Sequence, residues 1–203
     1  MSFTRYFAIP ALLGAVATTA SAATADLALP TGSASVAMLT QYAAPAPAEP
    51  EPETTRFDGV AYRVVDDAFV DQEGAWWRPL VVTTTAYSPT VEECDDDPDC
   101  TATGTNAYTR YGVAADPKAL PYGTILRIPG YGDAPVDDTG SAMRKSWSRG
   151  IVHIDLRIPL RRYDGAWRSE DEANRIALAH GVRRNRIVLM KVAPPVPPAS
   201  PLP

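Results

Sequence analysis

Three short segments of this chain carry aspartate in settings where a carboxylate needs a reason to be. They read YGVAADPKALPYGT, with Asp116; DAPVDDTG, with Asp137 and Asp138; and IVHIDLRI, with Asp155. An ionised carboxylate taken out of water without a partner is costly, so an acid inside a β-branched run points to use. The run Ile151–Ile158 alternates: Val152, Ile154, Leu156 and Ile158 fall on one face of a strand, and His153, Asp155 and Arg157 on the other. A carboxyl in a partly apolar setting, or beside a second carboxylate, keeps its proton to higher pH. It can then deliver that proton near neutrality, which is the task of a general acid. Asp155 is the first candidate for that role. Asp116 stands before Pro117, where an aspartate caps a turn as readily as it supports a site, and both roles stay open.

The elements that must hold these acids are short. Val60–Asp67 and Trp76–Tyr87 are rich in β-branched and aromatic residues and are separated by an Asp71–Gly74 turn. Val113–Ala115, Thr124–Ile128 and Ala134–Val136 are brief strands between glycines and prolines, and Arg186–Val192 is a last strand. One helix is well signalled: Ser169 with Glu172 forms a capping box, and Gly181 supplies the stop. Ala173, Ile176, Ala177 and His180 share one stripe of it, with His180 suited to the helix C-terminus. The class is mainly β, barrel-like, with one or two short helices. Residues 57–80 form an N-terminal β extension and residues 81–192 the barrel domain.

The ends differ from this middle. Met1–Ala22 has Arg5, an apolar run and Ala20-Ser21-Ala22, the layout of a cleavable export signal. Its apolar run is short and alanine-rich for a membrane span, so no stable span is expected once the signal is removed. Residues 23–56, containing APAPAEPEPE, read as a stiff disordered spacer, and 193–203 as a proline-rich tail. The protein is expected outside the cytoplasmic membrane, periplasmic or in the cell wall, and monomeric.

The net charge is −5, and no basic patch interleaved with aromatics suggests nucleic acid. Cys94 and Cys100 are the two cysteines, and in an exported protein a disulfide closing the small acidic loop between them is expected. Asp95, Asp97 and Asp99 alternate as at the start of a calcium loop, but the glycine and distal glutamate of such a loop are missing, and a solvated acidic loop is the plainer reading. With only two histidines, no zinc site suggests itself, and neither metal nor cofactor is expected.

Read together, the segments resemble the 3D (three-aspartate) domain of bacterial cell-wall proteins, found in stationary-phase muralytic proteins and at the C-terminal end of membrane-bound lytic transglycosylase A. The resemblance rests on Thr85-Ala86-Tyr87, Thr101-Ala102-Thr103-Gly104, Asp116-Pro117, Leu120-Pro121-Tyr122-Gly123-Thr124, Gly130-Tyr131-Gly132, Asp138-Thr139-Gly140, Ile154-Asp155-Leu156 and Glu172-Ala173. Each piece alone is weak; their shared order carries the likeness, over Val81 to Val192. It implies a double-psi β-barrel that cleaves the glycan strand of peptidoglycan, with Asp155 as acid/base. Asp138 would be the second acid, and Asp116 a third. The match also favours Asp138 over Asp137 as the inward member of its doublet, leaving Asp137 exposed. Tyr87, Thr103 and Thr139 become candidates for contact with acids or sugar.

The chain departs from the family between Asp138 and Asp155. A compact glycine-rich segment is replaced by the longer SAMRKSWSRGIV, with Ser141 in place of a second glycine and two counterparts, Arg144 and Lys145, for one lysine. Trp147 in this loop either stacks on a sugar or packs the loop against the barrel. Two other readings compete with a lytic transglycosylase: an expansin-like polysaccharide-binding module without catalysis, and a cellulase-like inverting hydrolase that uses Asp155 as acid and Asp138 or Asp116 as base.

Overall fold

The computed structural model describes residues 52–94 and 97–196. The expected signal, most of the spacer, Asp95, Asp96 and the end of the tail lie outside the described residues. Within them are nine strands and two helices, in the order β1 (Thr54–Phe57), β2 (Val60–Val65), β3 (Ala68–Val70), β4 (Trp76–Tyr87), β5 (Val113–Ala115), β6 (Ile125–Ile128), β7 (Gly132–Asp138), α1 (Ser141–Trp147), β8 (His153–Arg157), α2 (Glu170–His180) and β9 (Arg183–Val192). Neither helix is long and apolar enough to cross a membrane.

The sheet runs β1-β2-β3-β4-β8-β5-β7-β6-β9, and β9 returns to pair with β4. Six strands, β4 through β9, therefore close into a barrel of mixed direction, with β4–β8 and β5–β7 parallel and the other barrel pairs antiparallel. This is the double-psi β-barrel that the resemblance implied. Its interior is filled by Val82, Val113, Leu126, Val136, Ile154 and Val188 among others, each at most 2% exposed. Every such aliphatic side chain taken fully from water contributes roughly 1.5–3 kcal/mol.

The extension β1–β3 is not separate from the barrel. β4 is one strand of 12 residues: its start pairs with β3 and β9, its end with β8. Trp77 and Leu189 join Tyr62 in a second core beneath the extension, and the Arg127 guanidinium lies 4.0 Å from the Trp77 ring centroid while donating to the Tyr62 hydroxyl. β1 also begins at Thr54, inside the stretch read as spacer.

α2 starts as expected, with the Ser169 hydroxyl accepting from Glu172 N, and packs Ala173 and Ala177 on Ile158 and Leu160. The segment read as a long loop after Asp138 is instead largely helix. Ala142, Met143, Arg144 and Lys145 all favour helix, and Met143 and Ser146, three apart, form its buried face.

Candidate active site

The barrel register assembles the site. Parallel pairing sets Thr85 of β4 beside Asp155 of β8, antiparallel pairing sets Ala114 of β5 on the other side of Asp155, and Ala114 in turn faces Asp138 of β7 across a bulge. Thr85, Asp155, Ala114 and Asp138 thus form one row over four neighbouring strands. With alanine as the floor between the acids, a cleft of about 670 Å³ opens above the row, lined by Tyr87, Glu93, Asp138, Arg144 and Asp155 among others.

Asp155 is held low in this cleft. Its Oδ1 accepts from the Thr85 hydroxyl at 2.6 Å. Burial is the main reason its pKa is pushed up to about 6 from 3.8; the Thr85 bond opposes this, and the charges of Glu93 and Asp138 add to it. The Thr85 hydroxyl also meets His153 Nε2 at 2.9 Å, and His153 Nδ1 meets Ser146 Oγ at 3.1 Å. Burial holds His153 below the usual histidine range.

Asp138 is held differently. Its Oδ2 accepts from the Tyr87 hydroxyl at 2.7 Å, and its Oδ1 from Ala102 N at 3.1 Å and Thr139 N at 2.8 Å. All three partners donate, so Asp138 serves here purely as an acceptor. The Tyr87 phenol is driven far up by burial, with Asp138 contributing, and stays a donor. Thr139 lines the cleft and accepts from Arg144 Nη1 at 3.2 Å. Of the two counterparts to the family's lysine, Arg144 and Lys145, Arg144 is the one that lines the cleft.

Other residues singled out in the sequence lie elsewhere. Asp116 is 6% exposed, and its Oδ1 accepts from Lys118 N while its carbonyl accepts from Ala119 N and Leu120 N. It shapes the turn after β5 and is not among the cleft's lining residues. Thr103 ties its turn to β7, with its hydroxyl donating to the Asp137 carbonyl at 2.9 Å. Trp147 ends α1, 37% exposed and away from the cleft lining.

Asp137 corrects the reading of its doublet. It is 5% exposed, not free on the surface, and its Oδ2 accepts from Arg157 Nη2 at 2.6 Å, with Arg157 fully buried. The outer face of β7 is covered here because Arg157 folds under β5, where its Nε donates to the Arg110 carbonyl. Gly112 makes this possible: a Cβ there would run into the Arg157 guanidinium and the Asp137 carboxylate.

The expected disulfide is not formed in this structure. Cys94 Sγ donates to the Ser88 carbonyl and Cys100 Sγ to the Thr101 carbonyl, each at 3.7 Å. Each cysteine is fixed in its own turn, Cys94 by its N–H to Thr90 O and Cys100 by a bridge to Asn106. Among the described residues no cluster of His, Cys, Asp or Glu is arranged to hold a metal.

Glu93 was not singled out from the sequence, yet it lines the cleft with its Oε2 accepting from Ser88 N at 2.6 Å and Ser88 Oγ at 3.0 Å. Its only signal was an acid a few residues beyond Thr85-Ala86-Tyr87. Ser146 was missed as well, since a lone serine in a presumed loop carries no pattern. Comparison with protein-family models and with curated proteins finds no match for this chain.

Proposed function

We propose that this protein is an exported cell-wall enzyme that cleaves the glycan strand of peptidoglycan, acting as a lytic transglycosylase with Asp155 as its acid and then its base. One observation carries the reading: a half-buried aspartic acid, its pKa raised to about 6, lines an open polar cleft with a second, acceptor-only aspartate beside it. The ordered likeness to 3D domains supports the same assignment.

The chemistry follows from that arrangement. Protonated Asp155 gives its proton to the glycosidic oxygen as the bond from the anomeric carbon breaks. Positive charge develops on that carbon, and the Asp138 carboxylate lies in the same cleft to offset it. The C6 hydroxyl of the same muramic acid residue then attacks the anomeric carbon and returns its proton to Asp155. The acid is restored, and the products are a 1,6-anhydro end and a free hydroxyl on the leaving sugar. Intramolecular attack supplies the effective concentration that lets a single carboxyl serve both steps.

A second reading draws on the spacing of the acids. Asp155 and Asp138 sit two strands apart, about 10 Å between backbones, and an inverting hydrolase would use such a pair with a water held between the two carboxyls. Digesting purified sacculi and weighing the soluble fragments separates the readings. Transglycosylation leaves 1,6-anhydro ends; hydrolysis leaves fragments heavier by one water; sacculi that are bound but uncut support a binding module.

A further inference from the structure

Thr85 has one hydroxyl hydrogen and two polar neighbours, Asp155 Oδ1 at 2.6 Å and His153 Nε2 at 2.9 Å. If the hydrogen goes to Asp155, the Thr85 oxygen must accept from His153, whose proton then sits on Nε2. That leaves a lone pair on Nδ1, and Ser146 Oγ at 3.1 Å must donate to it. Ser146 is 7% exposed, on the buried face of α1. Side chains from α1, β8 and β4 thereby form a chain in which every donor points towards Asp155.

We propose that Ser146 and His153 are positioning residues that fix the Thr85 hydroxyl as a donor to Oδ1 of Asp155, so that the labile proton of this acid stands on Oδ2, towards the cleft. The opposite state is equally definite. An imidazole protonated on Nδ1 would donate to the Ala142 carbonyl, which also lies against His153. Nε2 would then take the Thr85 hydrogen, and Asp155 would turn its own proton back onto Thr85, away from substrate. Ser146, as a donor to Nδ1, favours the first state, and the Ala142 carbonyl, an acceptor only, favours the second.

The groups around this chain are consistent with a neutral imidazole. β4 contributes Thr85 and Tyr87, α1 contributes Ser146 with Arg144 at the cleft, β7 contributes Asp138 and the turn after β4 contributes Glu93. Arg157, also on β8, is committed to Asp137. Burial lowers the His153 pKa, which favours the neutral imidazole. A charged imidazole would instead draw the proton off Asp155.

The consequence for rate rests on the function proposed above; the hydrogen-bond chain does not. The test is NMR on the full chain, reading the His153 tautomer from its ring ¹⁵N shifts and the Asp155 titration from its ¹³Cγ shift. The unmutated protein should show the Nε2–H tautomer. Ser146→Ala should move His153 towards Nδ1–H. Ser146→Ala should raise the Asp155 midpoint, by up to about one pH unit for the loss of one hydrogen bond to the ionised form, whereas His153→Phe, which takes away the other acceptor for the Thr85 hydrogen, should not raise it. His153→Gln, which can still donate to Thr85, should likewise leave the midpoint near its original value. Ser146→Ala removes one oxygen from a short helix, so the test does not depend on how the ring variants fold. An Nδ1–H tautomer in the unmutated protein, or an Asp155 midpoint unmoved by Ser146→Ala, overturns the proposal. Titrations that move as stated while even the unmutated protein leaves peptidoglycan uncut uphold the chain and refute the enzymatic reading instead.

Discussion

Replacing Asp155 by Asn should stabilise the fold at neutral pH while removing the acid. Folding raises the Asp155 pKa from 3.8 to about 6, mainly through burial, so the folded state prefers the protonated form. The stability tied to that proton is fully present below about pH 3.8 and is lost as pH rises through about 6. At about 1.36 kcal/mol per pKa unit, the ionised group leaves the wild-type fold about 3 kcal/mol weaker at pH 8 than a neutral group of the same shape would. Asparagine is such a group, and its carbonyl oxygen can still accept from Thr85. Urea unfolding at pH 8 should therefore show Asp155→Asn ahead by about 3 kcal/mol, with the margin shrinking to well under 1 kcal/mol at pH 4. Equal margins at the two pH values, or a less stable variant at pH 8, would refute the idea that a half-buried acid is kept here at a cost to stability for its chemistry.

Other substitutions probe the supports of the cleft. Asp137→Ala strands the buried Arg157 charge and should cost about 3–5 kcal/mol in urea unfolding, where an exposed aspartate would cost almost nothing. Gly112→Ala should destabilise by about 1–3 kcal/mol by pressing on the same pair, a loss that circular-dichroism melts will register. Tyr87→Phe removes the hydroxyl from Asp138 Oδ2 and should lower kcat/KM on peptidoglycan by about tenfold with little change in melting temperature.

Much of this architecture could be read from residue pattern, and the misses share a cause. The alternation around Asp155 and the capping box at Ser169 are local signals, and the structure bears both elements out. Asp137 was misplaced because alternation says which way a side chain points, not what covers it. Its cover, Arg157 reaching under Gly112, comes from strands far off in sequence. Residue 80 falls within β4, since one apolar run cannot reveal where a long strand leaves the extension and enters the barrel. α1 was legible in its helix-forming residues, but the comparison with a compact family segment drew attention to its length instead. Glu93 reaches the cleft only through the turn that Ser88 braces, a tertiary fact with no sequence period.

Whether protonated Asp155 cuts a glycan is decided by the rate at which purified peptidoglycan releases soluble fragments, measured from pH 4 to 8 for the unmutated protein and for Asp155→Asn. The rate should be highest on the acid side and fall as pH rises through about 6, where Asp155 loses its proton. Asp155→Asn should be slower by about 10²–10⁴-fold or more throughout. Cleavage by Asp155→Asn at the unmutated rate would mean that the proton comes from another group.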